Sequence, residues 1–534
     1  MNFNPLHYPH NSQRNAVYAK NGMVATSQYF ASQAGINIMQ KGGNAIDAAV
    51  ATAAALTVVE PTSNGIGSDA FAIIWHKGKL HGINGSGPAP QSISIDALKD
   101  AGHTTMPTFG MLPVTVPGAV ATWATLIEKF GNLTLAECLA PAIKYAEEGY
   151  PISPTLGYFW NKAYTRFKNE FKTPEYNEWF KVFAPKDRVP NIGEVWSSTG
   201  HAKTLQEIGA TNGTSFYKGD IAKQIDTFFK EHKGYLTYED MAAFAPEFVE
   251  PISVAYNGYD VWEIPPNGQG IIAQIALGIM QNFKYENTTE YLHKQIEAMK
   301  QAFAIGRHVV TDPAFMKYTP DEILNPTFLQ ELSKKIKPTA QLPEAVTPNK
   351  SGTVYLSTAD AEGNMVSFIQ SNYMGFGSGI VVPGTGIAMQ NRGHDFSLDP
   401  AHINALQGGK KTLHTIIPGF ITKDNQAVAS FGVMGGYMQP QGHLQVVCNL
   451  LDKQLNPQAA LDAPRWQWMK ENNIEVEQSF AHHTAKELAA KGHNVTIQLE
   501  TGSFGRGQII MRDPKTGVLV GGCEMRADST VGAW

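Results

Sequence analysis

KSGTVYLSTADAEGNMVSFIQS, residues 350–371, is the stretch on which the reading of this chain turns. From Thr353 to Ala359 apolar and polar residues alternate as they do in a strand. Asp360-Ala361-Glu362-Gly363-Asn364 has turn chemistry, and residues 365–371 alternate again, so a hairpin is predicted to begin at Thr353. Ahead of it, residues 335–350 (KIKPTAQLPEAVTPNK) have neither helical nor strand periodicity and read as an exposed linker. A hydroxyl residue therefore opens a strand directly after Gly352, at the end of a long polar connection.

That position has a chemical meaning. A threonine hydroxyl is a weak nucleophile until a neighbouring base takes its proton, and a free α-amine on the same residue is such a base. With a reference pKa of about 7.7–8.0, the amine is partly neutral at physiological pH. Releasing it requires a cut between Gly352 and Thr353, and glycine's access to unusual backbone angles would present its carbonyl to the hydroxyl. On pattern alone, Thr353 reads first as an ordinary β-branched strand opener.

The surroundings of the hairpin are mixed in type. Helical spacing is predicted over residues 27–40 and 45–59, with Gly42-Gly43 between them, and over 119–129, 135–148, 222–231, 292–307, 441–451 and 481–490. Strands are predicted at 70–75, 80–84 and 426–431, without regular β-α-β alternation, which indicates a layered α+β fold. Residues 150–196 are aromatic, polar and rich in turn formers, and are expected to form an irregular insertion or outer layer.

Composition excludes several classes of function. A net charge of -5 with no Lys/Arg run argues against nucleic acid as a partner. The most apolar window, 45–59, contains Asp47 and is too short for a membrane span, so it is expected to be a buried helix. Cys138, Cys448 and Cys523 are odd in number and lack C-x-x-C spacing, which points away from a disulfide framework or a zinc site. With no secretory leader in residues 1–20, the expected compartment is the cytoplasm. Neither G-x-G-x-x-G after a strand, nor G-x-S-x-G, nor HExxH occurs, and no metal or cofactor is expected.

Blocks distributed along nearly the whole length resemble the γ-glutamyltranspeptidase (glutathione hydrolase) family. They include Gly42-Gly43-Asn44-Ala45-Ile46-Asp47, Gly65-Ile66-Gly67-Ser68, Glu263-Ile264-Pro265-Pro266-Asn267-Gly268, Ser351-Gly352-Thr353, Asn391-Arg392-Gly393-His394-Asp395, Leu413-His414-Thr415 and Met434-Gly435-Gly436. The resemblance implies a four-layer αββα sandwich of the N-terminal-nucleophile hydrolase type. It also implies a precursor cut between Gly352 and Thr353 into a large segment, 1–352, and a small one, 353–534, intertwined as a heterodimer. Thr353 would then attack a γ-glutamyl amide, and water or an amino-acid or peptide acceptor would resolve the acyl-enzyme, making the protein a hydrolase and transferase of glutathione-like substrates.

The same resemblance implies that Gly435 and Gly436 form the oxyanion hole, that Ser371 supports the nucleophile, and that Asp395 holds the substrate α-amino group. Arg392 stands where a Gln is frequent, beside the amino-acid pocket, and would grip a carboxylate bidentately or lie in solvent. His414-Thr415 replaces two adjacent serines on the α-carboxylate; Thr415 keeps one contact, and His414 is either a ligand-binding or a core histidine.

Two further departures bear on the donor. Residues 85–90, Gly-Ser-Gly-Pro-Ala-Pro, lack the Arg that relatives place on that carboxylate. Only about fifteen residues separate Ser397 from Leu413, so the longer lid of some relatives is absent and an open cleft is expected. The alternative substrate is therefore another acyl group, such as a glutaryl amide without an α-amino group. An uncleaved, catalytically silent binding protein is the alternative of a different class.

Overall fold

The computed structural model describes residues 14–284, 288–342 and 352–534; the second half of the linker, with Ser351, lies outside them. The hairpin forms as expected, from strands Val354–Asp360 and Met365–Ser371. It lies at the centre of a seven-stranded sheet ordered Thr530–Ala533, Gly22–Thr26, Val354–Asp360, Met365–Ser371, Asp69–His76, Lys79–Gly85, Glu247–Val249. A second seven-stranded sheet runs Val17–Ala19, Leu519–Cys523, Arg506–Arg512, Gln426–Met434, Gly419–Lys423, Tyr259–Glu263, Ile252–Tyr256.

Alternation along the strands explains the layering. Tyr355, Ala359, Met365 and Ile369 point between the sheets, where they meet Phe420, Met434, Ile510 and Leu519 of the second sheet. Val354, Leu356, Val366 and Phe368 point the other way, onto helices Tyr29–Gln40, Ala45–Val59, Ala119–Phe130 and Leu135–Glu148. Across the molecule, helices Gly270–Met280, Thr288–Val309 and Met438–Leu451 cover Val261, Ile421, Phe431 and Ile509 on the outer face of the second sheet. Helix, sheet, sheet, helix is the αββα sandwich.

The helix Ala45–Val59 is buried at every residue. Its small side chains let it lie close on the sheet, and Asn44 with Asp47 closes a capping box at its start. The strand Val354–Asp360 fixes the same helix end, because Asp360 Oδ2 accepts from Ala45 N–H at 2.9 Å and Thr358 Oγ1 donates to Ala45 O at 2.7 Å. No helix among the described residues is long and apolar enough to cross a membrane.

Residues 150–196 are more ordered than the sequence suggests. They hold helices Pro154–Glu170 and Asn177–Phe183, the first opened by Pro154 in its first turn, where the missing N–H costs nothing. Trp160, Phe167, Trp179 and Phe183 project from them around Phe376, with ring centroids 4.8 to 6.2 Å from it. Aromatic spacing of four and seven residues on two short helices is a weak periodic signal, which is why it passes for irregular chain.

Against this cluster lies His201, fully buried, with Nδ1 2.7 Å from Ser198 Oγ. Burial pushes its pKa down to about 4. The unfolded imidazole, with a pKa of about 6.5, gains a proton that the folded one refuses, so this group's contribution to stability is complete above pH ~6.5 and lost as pH falls towards 4. The expected loss is about 1.4 kcal/mol per pH unit across that window. Between pH 7 and 4.5 the urea-unfolding free energy of the wild type should fall more steeply than that of a His201→Gln variant, by about this slope, since His414 and His493, also held below their usual range by burial, titrate in both.

Candidate active site

Strand pairing brings the hairpin's two hydroxyls together. Val354 lies opposite Gln370, so Thr353 falls opposite Ser371, on the face that also carries Tyr355 and Ile369. Thr353 Oγ1 and Ser371 Oγ are 3.0 Å apart, and both hydroxyls donate to the carbonyl of Gly352, at 2.8 and 3.0 Å. Tyr373 fixes the other side, since its N–H donates to Ser371 Oγ at 2.8 Å and its carbonyl accepts from Gly352 N–H at 2.7 Å. The Gly352 carbonyl is thus held against the buried hydroxyls of Thr353 and Ser371, with Gly352 itself partly exposed. Gly352 does this without a positive φ, and a Cβ added there would find ordinary contacts at 3.6 Å. Unusual glycine angles are therefore not what presents the carbonyl.

Gly435 and Gly436 follow the strand Gln426–Met434 and precede the helix Met438–Leu451. Their φ values of 138° and 60° give a left-handed turn that a side chain would strain. Gln269 Nε2 holds the turn by donating to Gly436 O at 2.9 Å. Among the described residues neither glycine N–H finds a backbone acceptor, and both sit at the positive end of the helix, where negative charge is stabilised.

Beside these lies a buried charged pocket. The turn Arg392–Asp395 places the two side chains on one side, with Arg392 NH1 3.7 Å from Asp395 Oδ2 and 2.7 Å from Thr415 Oγ1. Arg392 is thus an interior group, its guanidinium stacked 4.1 Å from the centre of the Tyr373 ring. Among the described residues, Nε and NH2 of Arg392 have no hydrogen-bond partner, nor has Oδ2 of Asp395. Asp395 Oδ1 accepts from the hydroxyls of Tyr373 and Tyr437 at 2.7 and 3.3 Å.

His414 lies in the core. Its ring is fully buried against Phe71, and Nε2 bonds Asp69 Oδ2 at 3.0 Å. Burial pushes the Asp69 carboxyl up to about 7 against the opposing pull of Arg392, and burial followed by Arg392 holds the imidazole well below its usual range. The imidazole therefore stays neutral, and His414 adds no positive charge to the pocket of Arg392 and Asp395. Ser86 is also used internally, donating to Asn84 Oδ1 at 2.7 Å and accepting from Asn267 Nδ2 at 3.1 Å.

Tyr373, Tyr437 and Asp69 were not among the sequence candidates. Tyr373 lies two residues beyond Ser371, but its φ of 74° takes it out of the strand's alternation, so periodicity does not single it out. Asp69 is opposite Ser371 in the sheet, a pairing that joins strands about 300 residues apart and leaves no local trace. Among the described residues, one buried trio, His293, Glu297 and His493, has ligand-type atoms within 4.8 Å of one another. Lys300 Nζ lies 2.7 Å from Glu297 Oε1, so this carboxylate already has its cation.

A cleft of about 730 Å³ opens onto Gly352, Gly435 and Tyr437. The model of the family described as gamma-glutamyltranspeptidase matches residues 31–534. The chain is 34% identical over 525 residues to the glutathione hydrolase-like YwrD proenzyme of Bacillus subtilis, covering 96% of this chain and 98% of that one. It is 30% identical over 528 residues to the oxamate amidohydrolase proenzyme of Klebsiella pneumoniae, with coverages of 96% and 98%. The crystal structure of cephalosporin acylase from Bacillus halodurans superposes with a TM-score of 0.98 at 59% identity, covering 100% of this chain and 99% of that one. With its αββα layers, and with a match that runs through the hairpin at Thr353, the chain belongs to the γ-glutamyltranspeptidase family of N-terminal-nucleophile hydrolases.

Proposed function

We propose that the chain is a precursor that cuts itself between Gly352 and Thr353, leaving fragments 1–352 and 353–534 associated as one amidohydrolase. The observation that carries this reading is the Gly352 carbonyl held by the hydroxyls of Thr353 and Ser371 at 2.8 and 3.0 Å. In the cut, Thr353 Oγ bonds to the Gly352 carbonyl carbon, the amide C–N bond breaks, and the nitrogen becomes the α-amine of Thr353. Water then hydrolyses the ester and frees the Gly352 carboxylate. In catalysis the new amine takes the hydroxyl proton, Oγ attacks the substrate amide, the amine half leaves with a proton, and an acyl ester remains. The N–H groups of Gly435 and Gly436 receive the oxyanion, at a typical gain of about 2.7–4 kcal/mol per donor. Water or an amino acceptor resolves the ester.

The preferred donor is a γ-glutamyl amide. Support comes from Nε and NH2 of Arg392 and Oδ2 of Asp395, which have no hydrogen-bond partner among the described residues and form a pair complementary to an α-carboxylate and an α-ammonium. Arg392 then supplies, from a different position, the cation missing from residues 85–90. A second reading is a carboxylate-bearing acyl group without an amino group, such as glutaryl. It is favoured by the tyrosine hydroxyls already on Asp395 Oδ1, and by the acylase and amidohydrolase names of relatives.

Initial rates on γ-glutamyl-4-nitroanilide and glutaryl-4-nitroanilide separate the two. The expected result is at least a tenfold higher kcat/KM for the γ-glutamyl compound; a reversed ratio selects the acylase reading, and no nitroaniline from either overturns both.

A further inference from the structure

We propose that the cleft outside the scissile bond is a subsite for a flat aromatic amine, so that the amides cleaved are those whose leaving half carries an aromatic group. This deepens the proposed function and rests on it. If the acyl head occupies the buried pocket of Arg392 and Asp395, the amine half has one direction left. Tyr437 is the wall between the two spaces, with its hydroxyl on Asp395 and its ring lining the cleft whose floor holds Gly352 and Gly435.

The lining specifies the chemistry. Helix Pro154–Glu170 supplies Phe159 and Arg166, seven residues and two turns apart on one face, so that both reach the same groove. The Arg166 guanidinium lies 4.6 Å from the ring centre of Phe109, and that of Arg506 lies 4.5 Å from the ring centre of Phe159. Both guanidiniums have carboxylate partners, Glu170 at 2.8 Å and Glu60 at 3.2 Å. Lys162 is paired likewise, with Glu500 at 3.2 Å. The positive charges are therefore compensated, and what the cleft offers is a set of planar faces, the phenyl rings of Phe109 and Phe159 with the guanidiniums beside them. Aromatic rings stack on phenyl and guanidinium planes, whereas a small polar amine would fill a fraction of the 730 Å³ and leave those faces in water.

The test compares leaving amines of similar basicity on one acyl group: γ-glutamyl-phenylalanine against γ-glutamyl-glycine, and the glutaryl pair in parallel. The processed enzyme is expected to prefer phenylalanine about tenfold or more in kcat/KM. Phe109→Ala and Phe159→Ala are each expected to narrow that ratio by about two- to tenfold, the range of one aromatic contact. Both residues are only half buried, so the variants retain the fold, which circular dichroism and fragment processing verify.

Equilibrium binding of 2-naphthylamine, read by calorimetry, makes the outcome independent of turnover. Saturable binding weakened by both variants upholds the subsite even if neither acyl series is hydrolysed, a result that would sink the donor assignment alone. A phenylalanine-to-glycine ratio near one, a ratio unmoved by both variants, or absence of saturable naphthylamine binding overturns the proposal.

Discussion

Thr353→Ala is expected to run as a single 58.2 kDa chain on a denaturing gel, where the wild type separates into two fragments, and to lose amidase activity by about 10⁴-fold or more. Removing Oγ1 deletes the only atom proposed to attack both the Gly352 carbonyl and the substrate. It should leave the precursor's fold intact, because Ser371 Oγ still donates to Gly352 O at 3.0 Å and Tyr373 O still accepts from Gly352 N–H at 2.7 Å. Thr353→Ser keeps a hydroxyl but drops the methyl that fixes its rotamer, so it is expected to process, more slowly. Ser371→Ala removes one of two donors to the carbonyl, and processing that continues at a reduced rate would mark Ser371 as a support. Mass spectrometry of the small wild-type fragment must find Thr353 at its N-terminus. A wild type that stays whole, with a Thr353→Ala variant indistinguishable from it, would leave a folded but silent binding protein.

Much of this geometry could be read from strand periodicity. Residues 353–359 and 365–371 alternate, so the hairpin and its register follow, and the register places Thr353 beside Ser371. The largely apolar run 45–59 forms one buried helix over those residues, because Ala-rich sequence with an Asn44–Asp47 cap has no competing structure. The pocket of Arg392 and Asp395 was legible only in fragments. Arg392 and Asp395 come from one short turn, but their surroundings come from Tyr373, Thr415 and Tyr437, in three separate segments. His414 illustrates the limit: beside Thr415 in sequence it reads as a neighbour in the pocket, yet the extended backbone turns the two side chains opposite ways. One meets Arg392 and the other Asp69. Residues 150–196 were misjudged for another reason. Their helices are stabilised by a shared aromatic cluster with Phe376, a tertiary gain that no local propensity contains.

The pocket's assignment rests on charges that have no water to fall back on, and the consequences of removing either one differ. Arg392→Gln keeps a donor to Thr415 Oγ1 but takes the cation from a fully buried site, leaving Asp395 with tyrosine hydroxyls alone. Two charge-assisted hydrogen bonds to a substrate carboxylate are lost, each typically about 1.5–3 kcal/mol, so kcat/KM should fall by about 10²- to 10⁴-fold for γ-glutamyl and glutaryl donors alike. Unfolding should also become easier by about 3–5 kcal/mol, the usual penalty for stranding one partner of a buried pair. Asp395→Asn discriminates between donors. An amide oxygen still accepts from Tyr373 and Tyr437, but it gives an ammonium no countercharge, so the γ-glutamyl rate should fall about 10²-fold while the glutaryl rate holds or rises. Tyr373→Phe frees Asp395 Oδ1 without changing the charge, and a γ-glutamyl head should then bind more tightly, seen as a lower KM at similar kcat. If Asp395→Asn depresses both donors equally, the carboxylate only positions Arg392, and the amino group of the donor is not what this pocket reads.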